Sequence, residues 1–179
     1  LSEVEVATET VEDMALAVYN DRQAMVRIKG VEDNFDSLTH IREILVGDGE
    51  YALHAADMNY GILGIRLAER LGMGYTFQNE LRIYAPKREG QLNMANPEEG
   101  FVADNLYSPG VLFYVKQGKY DKNYILTSIS FARNLFAQQG MVSAVELRLK
   151  PGSDFDKVKS EMQEIGKGKF LVKDRYEQQ

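Results

Sequence analysis

Two short runs of alternating side chains, on either side of Asn20-Asp21, constrain the fold of this chain more than any other feature. In residues 14–19 the set Met, Leu, Val alternates with Ala, Ala, Tyr, and in residues 24–29 Ala, Val, Ile alternates with Met, Arg, Lys. A period of two is that of a β-strand, whose successive side chains point to opposite faces of a sheet. Asn and Asp tolerate the positive φ angles of a tight two-residue turn. The pattern therefore predicts an antiparallel hairpin with one buried face, closed by Gly30.

Patterning in the next part of the chain predicts two helices. Several potential N-caps at residues 33–37 precede a short helix at residues 38–44. A longer helix is expected over residues 59–71, because leucines recur there every four residues and Gly72 or Gly74 can end it.

The second half of the chain alternates between strand and helix patterns. Short strands are predicted at residues 81–85, 101–102, 111–115, 124–126, 145–149 and 170–172. One helix is expected after Ser128 or Ser130, and another over residues 155–165, where Ser153 or Asp154 precedes apolar residues at spacings of three and four. The last strand, helix and strand form a unit typical of a right-handed crossover. The whole pattern predicts an α+β fold.

Length and composition exclude several classes of protein. With 179 residues, 44% hydrophobic and 27% charged, the chain is long enough to bury a core and has the balance of a globular protein. Its longest apolar runs, residues 14–19 and 111–115, are far shorter than the ~20 residues that span a bilayer. A net charge of −6 without a basic face argues against nucleic-acid binding. The chain lacks an initial Met and a signal peptide, so we expect a soluble piece of a longer protein.

The residue types that carry catalysis are sparse in this sequence. Cysteine is absent, which excludes disulfides, thiol catalysis and cysteine-based zinc sites. The two histidines, His40 and His54, have acidic neighbours but no metal-ligand spacing. The Gly-x-Ser-x-Gly and Gly-x-Gly-x-x-Gly patterns are missing, and the paired carboxylates Glu98 and Glu99 lie in a polar stretch expected to be exposed. We therefore expect no enzyme, cofactor or metal site, and keep as an alternative a small acidic hydrolase that uses the carboxylates or the histidines.

A polar excursion at residues 86–100 contains the candidate contact for a partner. Its residues Gln91, Leu92, Asn93 and Met94 place two flexible apolar side chains in otherwise polar surroundings. Exposed apolar residues on a protruding segment are typical of a partner contact, and Met adapts to surfaces of different shape. The alternative is that these side chains fold back on the domain.

Several collinear segments together resemble a known family. They are residues 16–19 (LAVY), 22–24 (RQA), 28–31 (IKGV), 62–64 (ILG), 67–68 (LA), 71–72 (LG), 83–86 (IYAP), 118–121 (GKYD), 131–132 (FA) and 142–147 (VSAVEL). In this order and spacing they resemble the extracytoplasmic core domain of MacB/FtsX-like ABC transporter permeases, nearest the lipoprotein-releasing LolC/LolE type. The resemblance covers nearly the whole chain, from residue 11 to residue 176.

The resemblance implies where such a domain lies and what surrounds it. It implies a place between the first two transmembrane helices of a four-helix permease, on the extracytoplasmic (periplasmic) face of the bacterial inner membrane. The expected partners are an ABC ATPase subunit, which hydrolyses ATP in the cytoplasm, and a second permease subunit. A lipoprotein cargo or periplasmic carrier is a further expected partner. In one lipoprotein-releasing subunit a projecting hairpin captures the carrier, and the excursion with Leu92 and Met94 lies at about the same position in this sequence. Spans of about 20 apolar residues are expected on both sides of this sequence.

The resemblance also implies two subdomains. Residues 1–31 and 141–179 are expected to form a discontinuous porter-like α/β subdomain that lacks its first strand and helix, and residues 32–140 an inserted β-rich, Sabre-like subdomain. Such a domain couples cytoplasmic ATP hydrolysis to the release or export of a lipoprotein or other amphiphile by mechanotransmission. The alternative within the family is a regulatory permease domain that binds a cell-wall hydrolase or an outer-membrane partner.

Overall fold

The structure of the chain is a computed structural model. It describes residues 1–87, 94–137, 144–166 and 171–173. The chain divides into two compact units, a larger one at Thr8–Glu146 and a smaller one that combines Leu1–Ala7 with Leu147–Gln179.

Within these residues, strands make up most of the regular structure. They are β1 (Val4–Tyr19), β2 (Arg22–Val31), β3 (Leu45–Val46), β4 (His54–Ala55), β5 (Met58–Asn59), β6 (Ile62–Leu63), β7 (Leu81–Pro86), β8 (Phe101–Leu106), β9 (Leu112–Phe113), β10 (Tyr124–Ser128) and β11 (Ala144–Leu149). The main sheet has the order β6-β10-β2-β1-β7-β8, and β11 is its seventh strand and also pairs with β1. β10 runs parallel to β2, whereas β1 is antiparallel to β2 and β7, and β7 is antiparallel to β8. Two small sheets pair β3 with β9 and β4 with β5.

The predicted hairpin is confirmed and forms the centre of the sheet. β1 and β2 pair with a loop of only two residues, and Asn20 in that loop has a φ of 53°, as a tight turn requires. The face that bears Ala17, Val26 and Ile28 is buried, and it is named the inner face here. The second edge of β2 pairs with β10 and that of β1 with β7, so the hairpin is flanked on both sides.

Two of the five helices in the described residues pack on the inner face of the sheet. The helices are α1 (Phe35–Thr39), α2 (Ile65–Arg70), α3 (Gly118–Asn123), α4 (Ile129–Leu135) and α5 (Phe155–Gly166), with 3₁₀ turns at Ile41–Ile44 and Pro97–Gly100. Leu67 of α2 and Phe131 and Leu135 of α4 join one apolar cluster with the inner side of the hairpin. A second cluster, which includes Ile62 and Leu126, covers the outer face at the β6 and β10 end. Each face of that end of the sheet therefore has its own core.

The two ends of the strand order approach each other. Tyr107, directly after β8, forms a bridge with Tyr60, shortly before β6. The Gly61 N–H donates to the Tyr107 carbonyl at 2.9 Å, and the Tyr107 N–H donates to the Asn59 carbonyl at 2.9 Å. The sheet of the larger unit therefore curls around the cluster on its inner face.

The helix predicted over residues 59–71 is wrong in its first half. The end of β5 and all of β6 occupy this stretch before α2 begins at Ile65. Ile62 and Leu63 are both fully buried, Ile62 in the outer cluster and Leu63 in the inner one. Two neighbouring residues that are buried on opposite faces are typical of a strand covered on both sides, which the leucine spacing alone does not show. The end of the helix is as predicted, because Gly72 follows it with a φ of 72°.

Two shorter elements also differ from expectation. The helix predicted at residues 38–44 is split into α1 and a 3₁₀ turn, because His40 between them has a φ of 52°. The strand predicted at residues 170–172 begins outside the described residues, and residues 171 and 172 are in no strand. The other predicted strands, at residues 81–85, 101–102, 111–115, 124–126 and 145–149, correspond to β7, β8, β9, β10 and β11.

The smaller unit contains the start of β1, the end of β11 and α5. The Lys150 N–H donates to the Glu3 carbonyl at 2.8 Å, and Arg148 forms an ion pair with Glu5 at 3.1 Å. The Asp154 carboxylate accepts a hydrogen bond from a backbone N–H of the first turn of α5, so it is the helix cap, one of the two predicted. The first residues of the chain are thus tied to the segment that leads into α5.

The predicted apolar face of α5 is only partly covered. Val158 is 3% exposed, whereas Phe155 is 40% and Ile165 is 66% exposed. Because all three share one side of the helix, the smaller unit leaves part of that side open to solvent.

The α+β class expected from the sequence is confirmed. The subdomain boundaries, which join residues 1–31 to 141–179 and separate residues 32–140, stay a prediction. The compact units are divided after residues 7 and 146, because β2 pairs with β10 and β1 with β7, which holds most of the hairpin in the larger unit.

Gly30 provides a test of the packing between β2 and α4. A Cβ at this position would lie 2.4 Å from the Ala132 Cβ and 2.9 Å from the Ser128 carbonyl oxygen. We expect Gly30→Ala to lower the free energy of unfolding by about 1–3 kcal/mol, because a well-packed contact would have to open. Gly74→Ala is the matched control, with open space around its Cβ and a change below about 0.5 kcal/mol. Urea unfolding followed by circular dichroism measures both, and equal stabilities would contradict this packing.

Candidate functional site

One of the four predicted contact residues lies in the described part of the chain. Residues 91–93 lie outside the described residues, whereas Met94 is described and is 86% exposed. The excursion starts at the end of β7, where the Lys87 N–H donates to the Gly100 carbonyl at 2.8 Å. Met94 therefore belongs to the segment of the larger unit that connects β7 to β8, at one end of the strand order.

The same hairpin contributes to an exposed apolar surface. The outer face of β2, β1, β7 and β8 carries three cross-strand rows: Gln23-Val18-Arg82-Asn105, Met25-Leu16-Tyr84-Ala103, and Arg27-Met14 beside Pro86-Phe101. This surface is named the open face. Met25 is 54% exposed, Phe101 45% and Met14 41%. Adjacent exposed apolar side chains on one surface are typical of an interaction site.

The sequence prediction did not single out the open face, although residues 14–19 carry a pattern that indicates it. A strand with one solvated face normally carries polar residues on that face. In residues 14–19 both alternating sets are apolar, so neither face of this part of β1 is suited to water. A strand of this kind predicts a second covering layer or a binding surface.

A polar network borders the open face on the side of β10. The Glu12 carboxylate accepts hydrogen bonds from the Arg27 guanidinium and from the Tyr124 hydroxyl, the latter at 2.8 Å. Burial, together with the hydrogen bond to Glu12, raises the pKa of Tyr124. The hydrogen bond to the same carboxylate raises the pKa of Arg27. Each donor therefore keeps its proton, and the single carboxylate is shared between them.

His54 is the histidine that lies beside a hollow. A depression of about 460 Å³ in the larger unit is lined by the end of β2, the loop after it, His54 and the start of α4. The His54 Nε2 lies 2.9 Å from the Asp33 Oδ1, and both side chains are exposed. His40 is exposed between α1 and the 3₁₀ turn and does not line this hollow. The hollow therefore does not bring the two histidines together.

Ser128, which borders the hollow, uses its hydroxyl in the local structure. The hydroxyl accepts a hydrogen bond from the Phe131 N–H at 3.2 Å and donates one to the Asn59 Oδ1 at 2.7 Å. It is the N-cap of α4, one of the two caps predicted. A nucleophilic serine donates its hydroxyl proton to a base, whereas this one donates to an amide oxygen. The arrangement does not form the serine–histidine pair that nucleophilic hydrolysis requires.

The acidic residues are dispersed in the part of the chain that the structure describes. There, no group of three or more His, Asp or Glu side chains is placed to hold a metal ion. Glu98 and Glu99 are exposed, as the polar stretch predicts. Over the same residues, none of the helices is both long enough and apolar enough to cross a bilayer.

Comparison with known proteins identifies the fold. No protein-family model matches the chain, and no curated protein matches it. The extracellular domain of the ABC-type transporter YknZ from Gram-positive bacteria is similar with a TM-score of 0.55 and 12% identity, over 89% of this chain and 71% of that one. A domain assigned to a permease protein of Porphyromonas gingivalis is similar with a TM-score of 0.51 and 16% identity, over 93% and 65% of the respective chains. The fold is that of ABC permease extracellular domains.

At sequence identities of 12% and 16%, the similarity between this chain and the two neighbours is one of fold alone. The α+β arrangement around a seven-stranded sheet corresponds to the YknZ domain over most of this chain. The chain spans 71% of one neighbour and 65% of the other, so part of each has no counterpart in it. The expected resemblance to permease extracytoplasmic domains agrees with these neighbours in fold, and the LolC/LolE type stays a prediction.

Ser128 provides a test of the role assigned to its hydroxyl. We expect Ser128→Ala to lower the free energy of unfolding by about 1 kcal/mol, because the Phe131 N–H loses its acceptor. Ser130→Ala is the matched control, because the Ser130 side chain is exposed and its hydroxyl lies 3.2 Å from that of Ser128. This change should alter the free energy of unfolding by less than about 0.5 kcal/mol. Urea unfolding measures both variants. Hydrolysis of p-nitrophenyl acetate that is lost in Ser128→Ala and kept in Ser130→Ala would contradict the purely structural role.

Proposed function

We propose that this chain is an extracytoplasmic domain of an ABC transporter permease of the lipoprotein-releasing LolC/LolE type, on the outer side of a bacterial inner membrane. In this function it couples cytoplasmic ATP hydrolysis to the release or export of a lipoprotein or other amphiphile. The observation that carries the proposal is the likeness in fold to the YknZ extracellular domain over 89% of the chain. The collinear segments that resemble MacB/FtsX-like domains support it from the sequence.

The physical task requires contact and motion rather than chemistry in this domain. An acyl chain is held in a membrane by about 0.8 kcal/mol per buried CH₂ group, so a lipidated cargo leaves only when work is done on it. In the proposed transporter the ATPase subunit supplies that work, and a second permease subunit completes the membrane part. The extracytoplasmic domain then needs a surface for the cargo or its carrier and a body that transmits movement.

The smaller unit supports a transmitting role. Its two chain segments are joined by the hydrogen bond from Lys150 to Glu3 and by the ion pair between Arg148 and Glu5. In the proposed permease, membrane-spanning helices precede and follow this domain. A displacement of the membrane helix before this domain then pulls on the first residues of the chain. Through the two contacts just named, the pull reaches the segment that leads toward the membrane helix after the domain. β1 has residues in both units, so the same strand continues into the main sheet.

The excursion is the proposed contact for the cargo or carrier. Met94 is 86% exposed on it, and an exposed, flexible thioether side chain adapts to partners of different shape. Gln91, Leu92 and Asn93 complete the contact predicted from the sequence. The excursion begins and ends at the β7–β8 ladder, which gives this contact a rigid base.

Cysteine labelling of the excursion tests the location. Met94→Cys introduces a thiol into a chain that has no cysteine, at a highly exposed position. In the full-length protein we expect a membrane-impermeant maleimide to label this thiol in spheroplasts, because the domain lies outside the inner membrane. Ile125→Cys, at a position with 0% exposure, is the matched control and should stay unlabelled while the protein is folded. Labelling of Met94→Cys only after lysis would contradict the extracytoplasmic location.

A reconstituted transporter tests the transport function. In proteoliposomes with the ATPase and both permease subunits, we expect ATP-dependent release of a lipoprotein to a soluble carrier. Replacement of residues 91–94 by a Gly-Ser segment should reduce the transfer about tenfold while ATP hydrolysis continues, because a central contact is worth a kcal/mol or more.

The control for the replaced excursion is Tyr75→Ser, which removes another exposed apolar side chain from a different loop of the larger unit, where Tyr75 is 53% exposed. It should leave both transfer and ATP hydrolysis unchanged. Absence of ATP-dependent release from the unaltered transporter would overturn the proposed function. An equal loss in both variants would overturn the role of the excursion.

A further inference from the structure

We propose that the open face binds an amphipathic helix of a partner protein. The apolar side of the helix lies against Met25, Leu16 and Tyr84, and an acidic residue on its flank lies opposite Arg82. The inference rests on the proposed function in one respect, because that function places the partner outside the cytoplasm. Its own grounds are the dimensions, side chains and charge of the open face.

The dimensions of the open face suit one helix rather than a second copy of this chain. Four strands about 4.8 Å apart make it about 19 Å wide, and three rows about 7 Å apart make it about 20 Å long, which is roughly 400 Å². A stable interface buries about 800 Å² on each partner, so the open face alone is too small for a dimer of this chain. A helix is about 10 Å across and rises 1.5 Å per residue, so about 14 residues cover its length.

The side chains of the open face suit the apolar stripe of a helix. The middle row, Met25-Leu16-Tyr84-Ala103, is uncharged. Methionine side chains fit surfaces of different shape, so this row tolerates variation in the partner's residues. Helix on sheet is also the packing that the inner face of the same sheet already uses, where α2 and α4 lie. The partner surface is therefore a helix with apolar residues at spacings of three and four.

Arg82 determines the charge that the partner carries. Its exposed guanidinium lies 5.6 Å from the centre of the Tyr84 ring and donates to the Asn105 Oδ1 at 3.1 Å. Both contacts are with neutral groups, whereas Arg27, the other arginine of the open face, is paired with Glu12. Within the part of the chain that the structure describes, these contacts do not neutralise the positive charge of Arg82, which lies beside the apolar middle row. A carboxylate on the flank of the helix complements that charge.

Titration with a synthetic helix tests the proposal. The probe is a fluorescently labelled peptide of about 14 residues, with leucines at helical spacings of three and four and glutamates along one flank. A second peptide has lysines in place of the glutamates. Fluorescence anisotropy with the whole 179-residue chain should show the glutamate peptide binding about tenfold more tightly than the lysine peptide.

Three variants locate the binding on the open face. Met25→Glu should weaken binding of the glutamate peptide at least about tenfold, because it places a charge in the apolar middle row. Met58→Glu is the matched control on β5, where Met58 is 41% exposed and lies outside the open face, and should leave binding unchanged. Arg82→Glu should reverse the preference between the two peptides. Circular dichroism checks that each variant is folded.

Four results would overturn the proposal. They are the lack of saturable binding of either peptide at millimolar concentration, equal weakening by Met25→Glu and Met58→Glu, an unchanged peptide preference in Arg82→Glu, and a dimer of the unaltered chain that Met25→Glu abolishes. The last result would assign the open face to a second copy of this chain. The titration contains no membrane, ATPase or lipoprotein, so its failure leaves the labelling and release results for the proposed function as they stand.

Discussion

The main sheet is built on the antiparallel pairing of β1 with β2. It joins ten residue pairs, from Thr10 with Val31 to Tyr19 with Arg22. Each strand of the hairpin has a second edge, and these edges bind β7 and β10. A shift of the pairing by one residue would turn Val26 from the inner face to the outer face and disrupt the core on both sides. The two-residue turn prevents this shift, because it sets the register where the chain reverses.

The two faces of this sheet serve different purposes. The inner face is covered by α2 and α4, and the apolar cluster between these helices and the sheet is the main core. The outer face is covered only toward β6 and β10, and the network of Glu12, Arg27 and Tyr124 marks the border of the open face. Meanwhile the hydroxyl of Ser128 caps a helix, and His54 pairs with Asp33 at the surface. The described residues thus combine a core on the inner face of the sheet with a partly exposed apolar surface on its outer face.

Much of this fold could be predicted from residues that are close in sequence. The hairpin follows from alternation and from the turn preference of Asn20, and the start of α4 follows from the capping ability of Ser128. The helix predicted over residues 59–71 shows where such reasoning ends. Ile62 and Leu63 have a spacing that fits a helix, but pairing with β10, far along the chain, makes them a strand. Of the predicted contact, Met94 is exposed, which the polar surroundings of the excursion indicate.

Local sequence is enough to predict that residues 14–19 and 24–29 form strands, where the chain turns between them, and that the chain has no cysteine chemistry. Which side of each strand is covered, and that Leu16 and Tyr84 lie in one row with the exposed Met25, depends on the tertiary structure. The physical reason is the range of the forces involved. Backbone preferences and side-chain alternation act over a few neighbouring residues, whereas burial depends on helices and strands that arrive from distant parts of the chain.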